Sequence, residues 1–278
     1  ATEGTRMNAL ERMFEAPKPV IAMLHFPGLP GRPWHDRQAG MRRAVDVVGH
    51  DLDVLQAAGV DGVLFCNEAD IPYQLEVGPE IPAAMAAVIG ELRTSIRVPF
   101  GVNILWDAIA SLALARATGA RFVREVVTGV YESDLGMIEP AIGEIAGYRT
   151  AIGAEDVALF DNIQPEFASA MGRRTVADRA RGAAFLGVDA ILISGPAAGV
   201  SFEMSDLAAA KEAVPEVPVI ANTGVRADRI AEIFKVADGA IVGTSLKVDG
   251  STWNAVDPDR ARRLMDAARA ARDVAATA

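Results

Sequence analysis

The sequence predicts a single (β/α)8 barrel of the TIM-barrel class, with a short additional helix before the first strand. Eight short apolar runs recur in the 278 residues, and their starts lie 22 to 40 residues apart. Each interval has room for the dozen or more residues that a crossover between parallel strands requires. The intervals also carry apolar residues at helical spacing, so strands and helices alternate eight times, as they do in this barrel.

The eight runs are rich in Val, Ile, Leu and Phe and barely alternate with polar residues. That composition is typical of parallel strands that are buried on both faces. In chain order the predicted strands are Val20–Phe26, Val60–Asn67, Val98–Leu105, Arg121–Val127, Asp156–Ile163, Val188–Gly195, Val217–Gly224 and Gly239–Leu246. An open, doubly wound sheet would use the same strands and is the alternative architecture.

The first interval shows the helical pattern most clearly. Its apolar residues at helical spacing are Met41, Val45, Val48, Leu52 and Leu55. The same spacing predicts helices in Asp206–Val214, Ala227–Phe234 and Pro258–Arg272. Thr5–Glu15 is predicted as the additional N-terminal helix, which the prolines that follow it would end.

Composition and charge argue against several classes of protein. Lys and Arg total 27 against 37 Asp and Glu, a net charge of −10, whereas a nucleic-acid binder needs a basic face. Cys66 is the only cysteine, so no internal disulfide can form. Neither a signal-peptide pattern nor a stretch of about 18 apolar residues occurs. We therefore expect one domain over residues 1–278, without membrane insertion, in the cytoplasm; a homo-oligomer is compatible with the sequence.

Polar side chains concentrate where the predicted strands end, and active sites lie at that end of such barrels. The strand ends read His25, Asn67-Glu68-Ala69-Asp70, Asn103, Arg124-Glu125, Asp161-Asn162, Ser194-Gly195, Asn222-Thr223-Gly224 and Gly243-Thr244-Ser245. The strand beginnings carry little beyond Val, Pro and an occasional Asp. We expect the ends to converge on one mouth, where Asn103 and Arg124 would contact a substrate.

Glycines that follow the last three strands predict a phosphate site. Glycine lets backbone N–H groups approach an anion closely, and a helix N-terminus adds partial positive charge. The residues predicted to bind phosphate are Ser194, Gly195, Asn222, Gly224, Gly243, Thr244 and Ser245. Either Lys247 or Arg226 could complete that site. The alternative is that these segments are ordinary glycine turns.

Acidic residues at the strand ends are the predicted proton-transfer groups. Glu68, Glu125 and Asp161 come from different strands, and a charge beside a barrel strand is costly without a partner. His25 ends the first strand and is the candidate histidine for the same chemistry. The alternatives are an ion pair between Arg124 and Glu125, and a structural role for His25.

Clustered carboxylates can also hold a hard divalent cation such as Mg²⁺. The candidate ligands are Glu68, Asp70, Glu125 and Asp161. For Asp70, as for Asp107 nearby, helix capping is the alternative role.

The four lysines argue against one class of chemistry. They are Lys18, Lys211, Lys235 and Lys247, and none lies in a predicted strand. A Schiff-base lysine would be expected in a strand. Aldolase chemistry through a Schiff base is therefore not predicted.

Several segments together resemble a known family over nearly the whole chain, from Val20 to about Ala267. They include Ile21-Ala22-Met23-Leu24-His25, Asn67-Glu68-Ala69-Asp70, Pro99-Phe100-Gly101-Val102-Asn103 and Asp238-Gly239-Ala240-Ile241-Val242-Gly243-Thr244-Ser245. These segments resemble the BtpA/SgcQ family, which includes a photosystem I assembly protein. The resemblance implies a barrel of enzymatic type with a link to photosystem or membrane biogenesis.

The chain differs from the family pattern at three strand ends. It has Leu105-Trp106-Asp107-Ala108, Arg124-Glu125-Val126 and Glu166-Phe167. The family has Leu-Arg-Asn-Asp, Arg-Val-Asn and Lys-His at these places. The differences imply a substrate other than that of the photosystem-assembly members.

Two functional hypotheses follow. The first is an enzyme that acts on a small phosphorylated, sugar-phosphate-like metabolite by carboxylate and histidine acid–base chemistry, as an isomerase, a lyase or a glycosyl-cleaving enzyme. The second is a non-catalytic assembly factor whose barrel surface binds a protein partner. The second hypothesis predicts an exposed apolar patch away from the strand ends and a mouth blocked by side chains such as Trp106.

Overall fold

In the computed structural model, which describes residues 7–276, eight parallel strands close into a barrel. The barrel strands are β1 (Val20–His25), β2 (Gly62–Cys66), β3 (Phe100–Asn103), β4 (Phe122–Glu125), β7 (Ala158–Asn162), β9 (Ala190–Ile193), β10 (Val219–Ala221) and β11 (Gly239–Val242). They follow one another around the barrel in this order, and β11 pairs with β1. The predicted (β/α)8 fold class is confirmed.

Helices fill the intervals between the barrel strands. They are α2 (Gly40–Ala58), α3 (Glu80–Leu92), α4 (Ala108–Thr118), α5 (Ile142–Ala151), α6 (Val176–Phe185), α7 (Met204–Ala213), α8 (Ile230–Ile233) and α9 (Pro258–Ala276). In α2 four of the five residues of the predicted stripe are buried, with Val48, Leu52 and Leu55 fully so, and Met41 is partly buried against the same core. Within residues 7–276, no helix is both long and apolar enough to cross a membrane.

Side chains of the strands divide between two apolar layers, because successive residues of a strand point to opposite faces. Inward-facing residues such as Met23, Phe122 and Phe160 fill the barrel, and the two phenylalanine rings stack with centroids 4.5 Å apart. Outward-facing residues such as Val123 and Ile191 pack in the layer that includes the helices. The direction of each side chain at a strand end therefore depends on its place in this alternation.

The additional N-terminal helix, α1 (Ala9–Met13), closes the barrel at the end where the strands begin. Asn8 caps it and forms a capping box with Glu11. Phe14 follows the helix and packs edge-on against Phe122, with ring centroids 6.3 Å apart. The helix is shorter than the predicted Thr5–Glu15, of which residues 5 and 6 lie outside the described residues.

A second, antiparallel sheet stands beside the opposite end and was not predicted. It consists of β5 (Tyr131–Ser133), β6 (Gly136–Ile138) and β8 (Ala168–Ala170), in the order β6-β5-β8. Its strands come from the segments after β4 and β7. Tyr131 is buried in this sheet, and Trp106 packs against its small apolar cluster. The sheet therefore forms part of the surroundings of the barrel mouth.

Candidate active site

A cavity opens where the barrel strands end. Its volume, counted out to the opening, is about 970 Å³. Met23 and Ile241 from the inner layer form its apolar floor. The site residues predicted from the sequence that line it are His25, Glu68, Arg124, Asn222, Gly224, Gly243, Thr244 and Ser245. The cavity thus brings candidate acid–base groups and candidate phosphate-binding loops into one space.

His25 and Glu68 face each other across this cavity. His25 Nε2 lies 4.0 Å from Glu68 Oε2. Burial, together with the positive charges of Lys247 and Arg124, lowers the pKa of His25 to about 3, so its imidazole is neutral near pH 7. Burial also raises the pKa of Glu68, although the positive charge of Arg124 opposes that rise. This pair is suited to proton transfer, because the imidazole of His25 is neutral and the carboxyl group of Glu68 keeps its proton to a higher pH than an ordinary Glu does.

Arg124 projects into the same cavity from β4. Its Nη1 lies 3.5 Å from Asn222 Oδ1, and its Nη2 lies 4.0 Å from Glu166 Oε1. Glu166 is held in turn by Asn162, whose Nδ2 donates to Oε2 over 3.1 Å. From the sequence, Glu166 stands out only as a departure from the family pattern. Its position three residues beyond the predicted strand Asp156–Ile163 was the one feature of the sequence that indicated a place near the barrel mouth.

The glycine-containing loops after β9, β10 and β11 form one wall of the cavity. Gly199, which was not among the predicted site residues, lines this wall with Gly224 and Thr244. Within residues 7–276, the N–H groups of Gly224, Thr244 and Ser245 donate to no protein acceptor. Unpaired backbone N–H groups that line a cavity can bind the oxygens of an anion.

Gly224 has a backbone conformation that glycine alone adopts readily. Its φ is 62°, and a Cβ at this position would collide with the backbone of Ser201. At Gly243 a Cβ would lie 3.2 Å from Met23 Cγ and 3.5 Å from His25 Cε1. Both glycines therefore keep the loop backbone close to neighbouring groups of the cavity wall.

Three predicted substrate-binding residues lie behind the wall of this cavity. Ser194 donates to Asn162 Oδ1 over 3.1 Å and accepts from Asn222 Nδ2 over 2.7 Å. The N–H of Gly195 donates to Thr223 Oγ1 over 2.7 Å. The third, Asn103, is buried and donates to the carbonyl of Arg124 over 2.7 Å. These contacts position the residues that line the cavity.

Glu125 and Asp161 do not line this cavity, although both are predicted there with Glu68. The two are neighbours in register, and Asp161 is also in register with Ile191 of the outer layer. Both carboxylates therefore point away from the barrel interior. Glu125 Oε1 accepts from Asn103 Nδ2 and from Ser111 Oγ of α4, each over 2.6 Å. Asp161 accepts from the hydroxyl of Thr128 and the N–H of Val127.

The four predicted metal ligands are not brought together. Asp70 accepts from the N–H of Leu29 over 2.8 Å and from Asn67 Nδ2 over 3.0 Å, which fixes the loop after β1. Asp107 caps α4 through the N–H of Ala110, as the capping alternative predicted. No group of three or more His, Cys, Asp or Glu among the described residues could hold a metal ion.

Of the two basic residues considered for the phosphate site, Arg226 lines the cavity. Lys247 is buried instead against α2, where its Nζ lies 2.6 Å from Asp51 Oδ2. Asp51 Oδ1 also accepts from the N–H of Val256, so this pair fixes the segment between β11 and α9. None of the chain's four lysines, all within the described residues, lines the cavity.

Glu125 should make stability depend on pH. Burial raises the pKa of Glu125 to about 8, so the folded protein retains a proton that the unfolded chain loses above its ordinary pKa of 4.5. The contribution of Glu125 to stability is therefore largest at low pH and falls as the pH rises toward 8. Between pH 6 and pH 8 we expect the wild type to lose about 2 kcal/mol of unfolding free energy relative to Glu125→Gln.

Urea denaturation at pH 6, 7 and 8 measures this difference. Glu212→Gln, at an exposed position of α7, is the matched control and should follow the wild type at every pH. A constant difference between the wild type and Glu125→Gln across this range would show that Glu125 is ionised in the folded protein.

The sequence of this chain is similar to those of known proteins over most of its length. The sequence profile of the BtpA family matches residues 16–270. The sgc region protein SgcQ of Escherichia coli K12 is 43% identical over 261 residues, which cover 94% of this chain and 97% of SgcQ. The photosystem I biogenesis protein BtpA of a Synechocystis strain is 31% identical over 263 residues, or 93% of this chain and 90% of that protein.

A solved structure shares the fold at much lower identity. It is (S)-3-O-geranylgeranylglyceryl phosphate synthase of Thermoplasma acidophilum, in complex with its substrate sn-glycerol-1-phosphate. It matches with a TM-score of 0.60 at 15% identity, over 94% of this chain and 97% of that one. At that identity the similarity shows the barrel fold alone.

Proposed function

The chain belongs to the BtpA family, and from this premise we propose that it is an enzyme that acts on a small phosphorylated metabolite by acid–base chemistry. One observation carries the proposal. Gly224, Thr244 and Ser245, whose N–H groups donate to no protein acceptor in the described part of the chain, line the same cavity as the pair His25 and Glu68. A substrate whose phosphate met these N–H groups would have the rest of its structure beside the acid–base pair.

The position of the anion site supports a phosphate as its occupant. Loops after the last two strands of (β/α)8 barrels frequently bind phosphate through backbone N–H groups. A backbone site needs no basic patch, so it suits a chain with a net charge of −10. The structural relative with sn-glycerol-1-phosphate as its substrate agrees with such a ligand.

The acid–base pair supports proton transfer as the chemistry. Glu68 would exchange a proton with the carbon or oxygen atom of the substrate that faces it, and His25 would donate to or accept from a neighbouring oxygen. Isomerisation, lyase reactions and glycosyl-bond cleavage all use such transfers. The side chains of His25 and Glu68 are only 9% and 14% exposed, and a substrate bound in the cavity would exclude the remaining water from them.

A divalent cation has no part in this proposal. The carboxylates of Asp70 and Asp161 already accept hydrogen bonds from backbone N–H groups, and Glu125 points toward α4. Glu68 alone of the four predicted ligands lines the cavity. The residues present therefore do not fit the predicted metal site.

The assembly-factor hypothesis differs in what it expects at the mouth. It predicts that side chains such as Trp106 block the opening. In the structure, Trp106 lies on the side of an open cavity, and its ring packs against the cluster of β5 and β6. An open cavity with polar groups favours the enzymatic proposal.

Thr244→Asp tests the phosphate site. The new carboxylate would stand beside the N–H groups of the loop and repel an incoming phosphate, so we expect glycerol 3-phosphate to bind about 100-fold more weakly, or not at all. Isothermal titration calorimetry measures this affinity. Thr150→Asp places the same charge on an exposed position of α5 and should bind as the wild type does. Equal affinity in Thr244→Asp and the wild type would remove the phosphate site from this wall.

A further inference from the structure

The guanidinium of Arg124 lies deep in the cavity with few partners. Its side chain is 9% exposed, and both Met23 and Asn222 contact Nη1 only at 3.7 and 3.5 Å. Among residues 7–276, no carboxylate oxygen lies within hydrogen-bond distance of it. A guanidinium has five N–H donors, and those of Arg124 that no protein acceptor takes are not sealed in the interior but open to the cavity, where a ligand can pair with them. The arrangement therefore lacks an acceptor that faces Arg124 from the cavity.

The carboxylates around Arg124 are not placed to supply that acceptor. Glu166 comes nearest, at 4.0 Å, and accepts instead from Asn162 Nδ2 over 3.1 Å and from Asn222 Nδ2 over 3.5 Å. Glu68 accepts from the Cys66 thiol over 3.6 Å and faces His25. Each neighbouring carboxylate is therefore held by another group of the cavity.

We propose that Arg124 binds a carboxylate of the substrate, so that the substrate class is a small phosphorylated carboxylic acid. This inference rests on the proposed function, because it takes the phosphate to lie against Gly224 and Thr244. Arg124 and these loops line one cavity, and Asn222 links them: its side chain contacts Arg124, and its backbone leads into Thr223 and Gly224. A substrate a few carbon atoms long can reach both places.

A carboxylate suits this position better than a second phosphate. The guanidinium is a planar fork that matches the two oxygens of a carboxylate. Glu68 and Glu166 also line the cavity beside Arg124, and their negative charge disfavours a dianion more than a monoanion. A single planar anionic group is therefore the best fit to the surroundings.

Two probes that differ at one carbon test the proposal. 3-Phosphoglycerate carries a carboxylate where glycerol 3-phosphate carries a hydroxymethyl group, and the two are otherwise alike. By calorimetry we expect the wild type to bind 3-phosphoglycerate about 10- to 100-fold more tightly, because charged hydrogen bonds of this kind contribute that much. In Arg124→Met the ratio of the two affinities should fall to about one. Arg124→Lys keeps the charge without the fork and should give an intermediate ratio.

Other outcomes separate this inference from the proposed function. If the wild type binds both probes equally, the carboxylate site is wrong while the phosphate site stands. If it binds neither probe, the proposed function fails and the inference fails with it. Thr244→Asp should weaken the binding of both probes by the same factor and leave the ratio of their affinities unchanged. If Arg124→Met does not fold, as judged by circular dichroism, the Arg124→Lys ratio decides: a ratio equal to that of the wild type would overturn the proposal.

Discussion

Asp51→Ala should lower the free energy of unfolding by about 3–5 kcal/mol, because it leaves the ammonium group of Lys247 buried without its counter-charge. Lys247 and Asp51 are both 2% exposed, and Nζ and Oδ2 are 2.6 Å apart. The substitution also removes the acceptor of the Val256 N–H. Urea denaturation at pH 7 measures the loss.

The same helix offers a matched control. Asp46 of α2 pairs with Arg42 at 3.0 Å, and both side chains are more than half exposed. Asp46→Ala should therefore change the unfolding free energy by about 0.5 kcal/mol or less. In the double variant Asp51→Ala/Lys247→Met, no buried charge is left unpaired, and we expect part of the lost stability to return. A loss below about 1 kcal/mol in Asp51→Ala would mean that water reaches Lys247.

Glu68→Gln should slow turnover by about 10²- to 10⁴-fold, the usual contribution of a general acid or base. Glutamine keeps the shape of the side chain but cannot exchange a proton. The protein should still fold and bind glycerol 3-phosphate, because Glu68 is not on the wall with Gly224 and Thr244. The measurement is conversion of a panel of phosphorylated sugars and sugar acids in D2O, followed by ³¹P and ¹H NMR.

Glu216→Gln, at an exposed position before β10, is the control and should convert substrate at the wild-type rate. Comparison of the two variants at equal concentration separates loss of a reacting group from loss of folded protein. If Glu68→Gln turns over a substrate as fast as the wild type does, proton transfer by Glu68 is excluded.

The barrel could be predicted from the sequence, but the direction of its strand-end side chains could not. Strands buried on both faces read as continuous apolar runs, which mark a parallel sheet and hide the alternation. A shift of one residue decides which side chain faces the cavity. Arg124 faces inward while its neighbour Glu125 faces α4. The prediction that the strand-end carboxylates converge on one mouth was therefore wrong for Glu125 and Asp161. Continuous apolar runs do not show which face of the strand each residue points to.

The glycines were more informative than the charged residues. A glycine directly after a buried strand constrains backbone position, which depends little on the direction of a side chain. Gly224 and Gly243 line the cavity, whereas Gly195 lies behind its wall, where its N–H donates to Thr223. The sheet of β5, β6 and β8 was missed because its strands are three residues long. Lys247 was misplaced because its partner Asp51 lies 196 residues away in the chain.

A phosphorylated substrate should lie in the barrel mouth between the glycine-containing loops and the pair His25 and Glu68. The decisive experiment is a crystal structure of the protein with glycerol 3-phosphate. We expect the phosphate oxygens within hydrogen-bond distance of the N–H groups of Gly224 and Thr244, with the glycerol carbons toward His25 and Glu68. A phosphate bound anywhere else, with these N–H groups facing only water, would contradict the account.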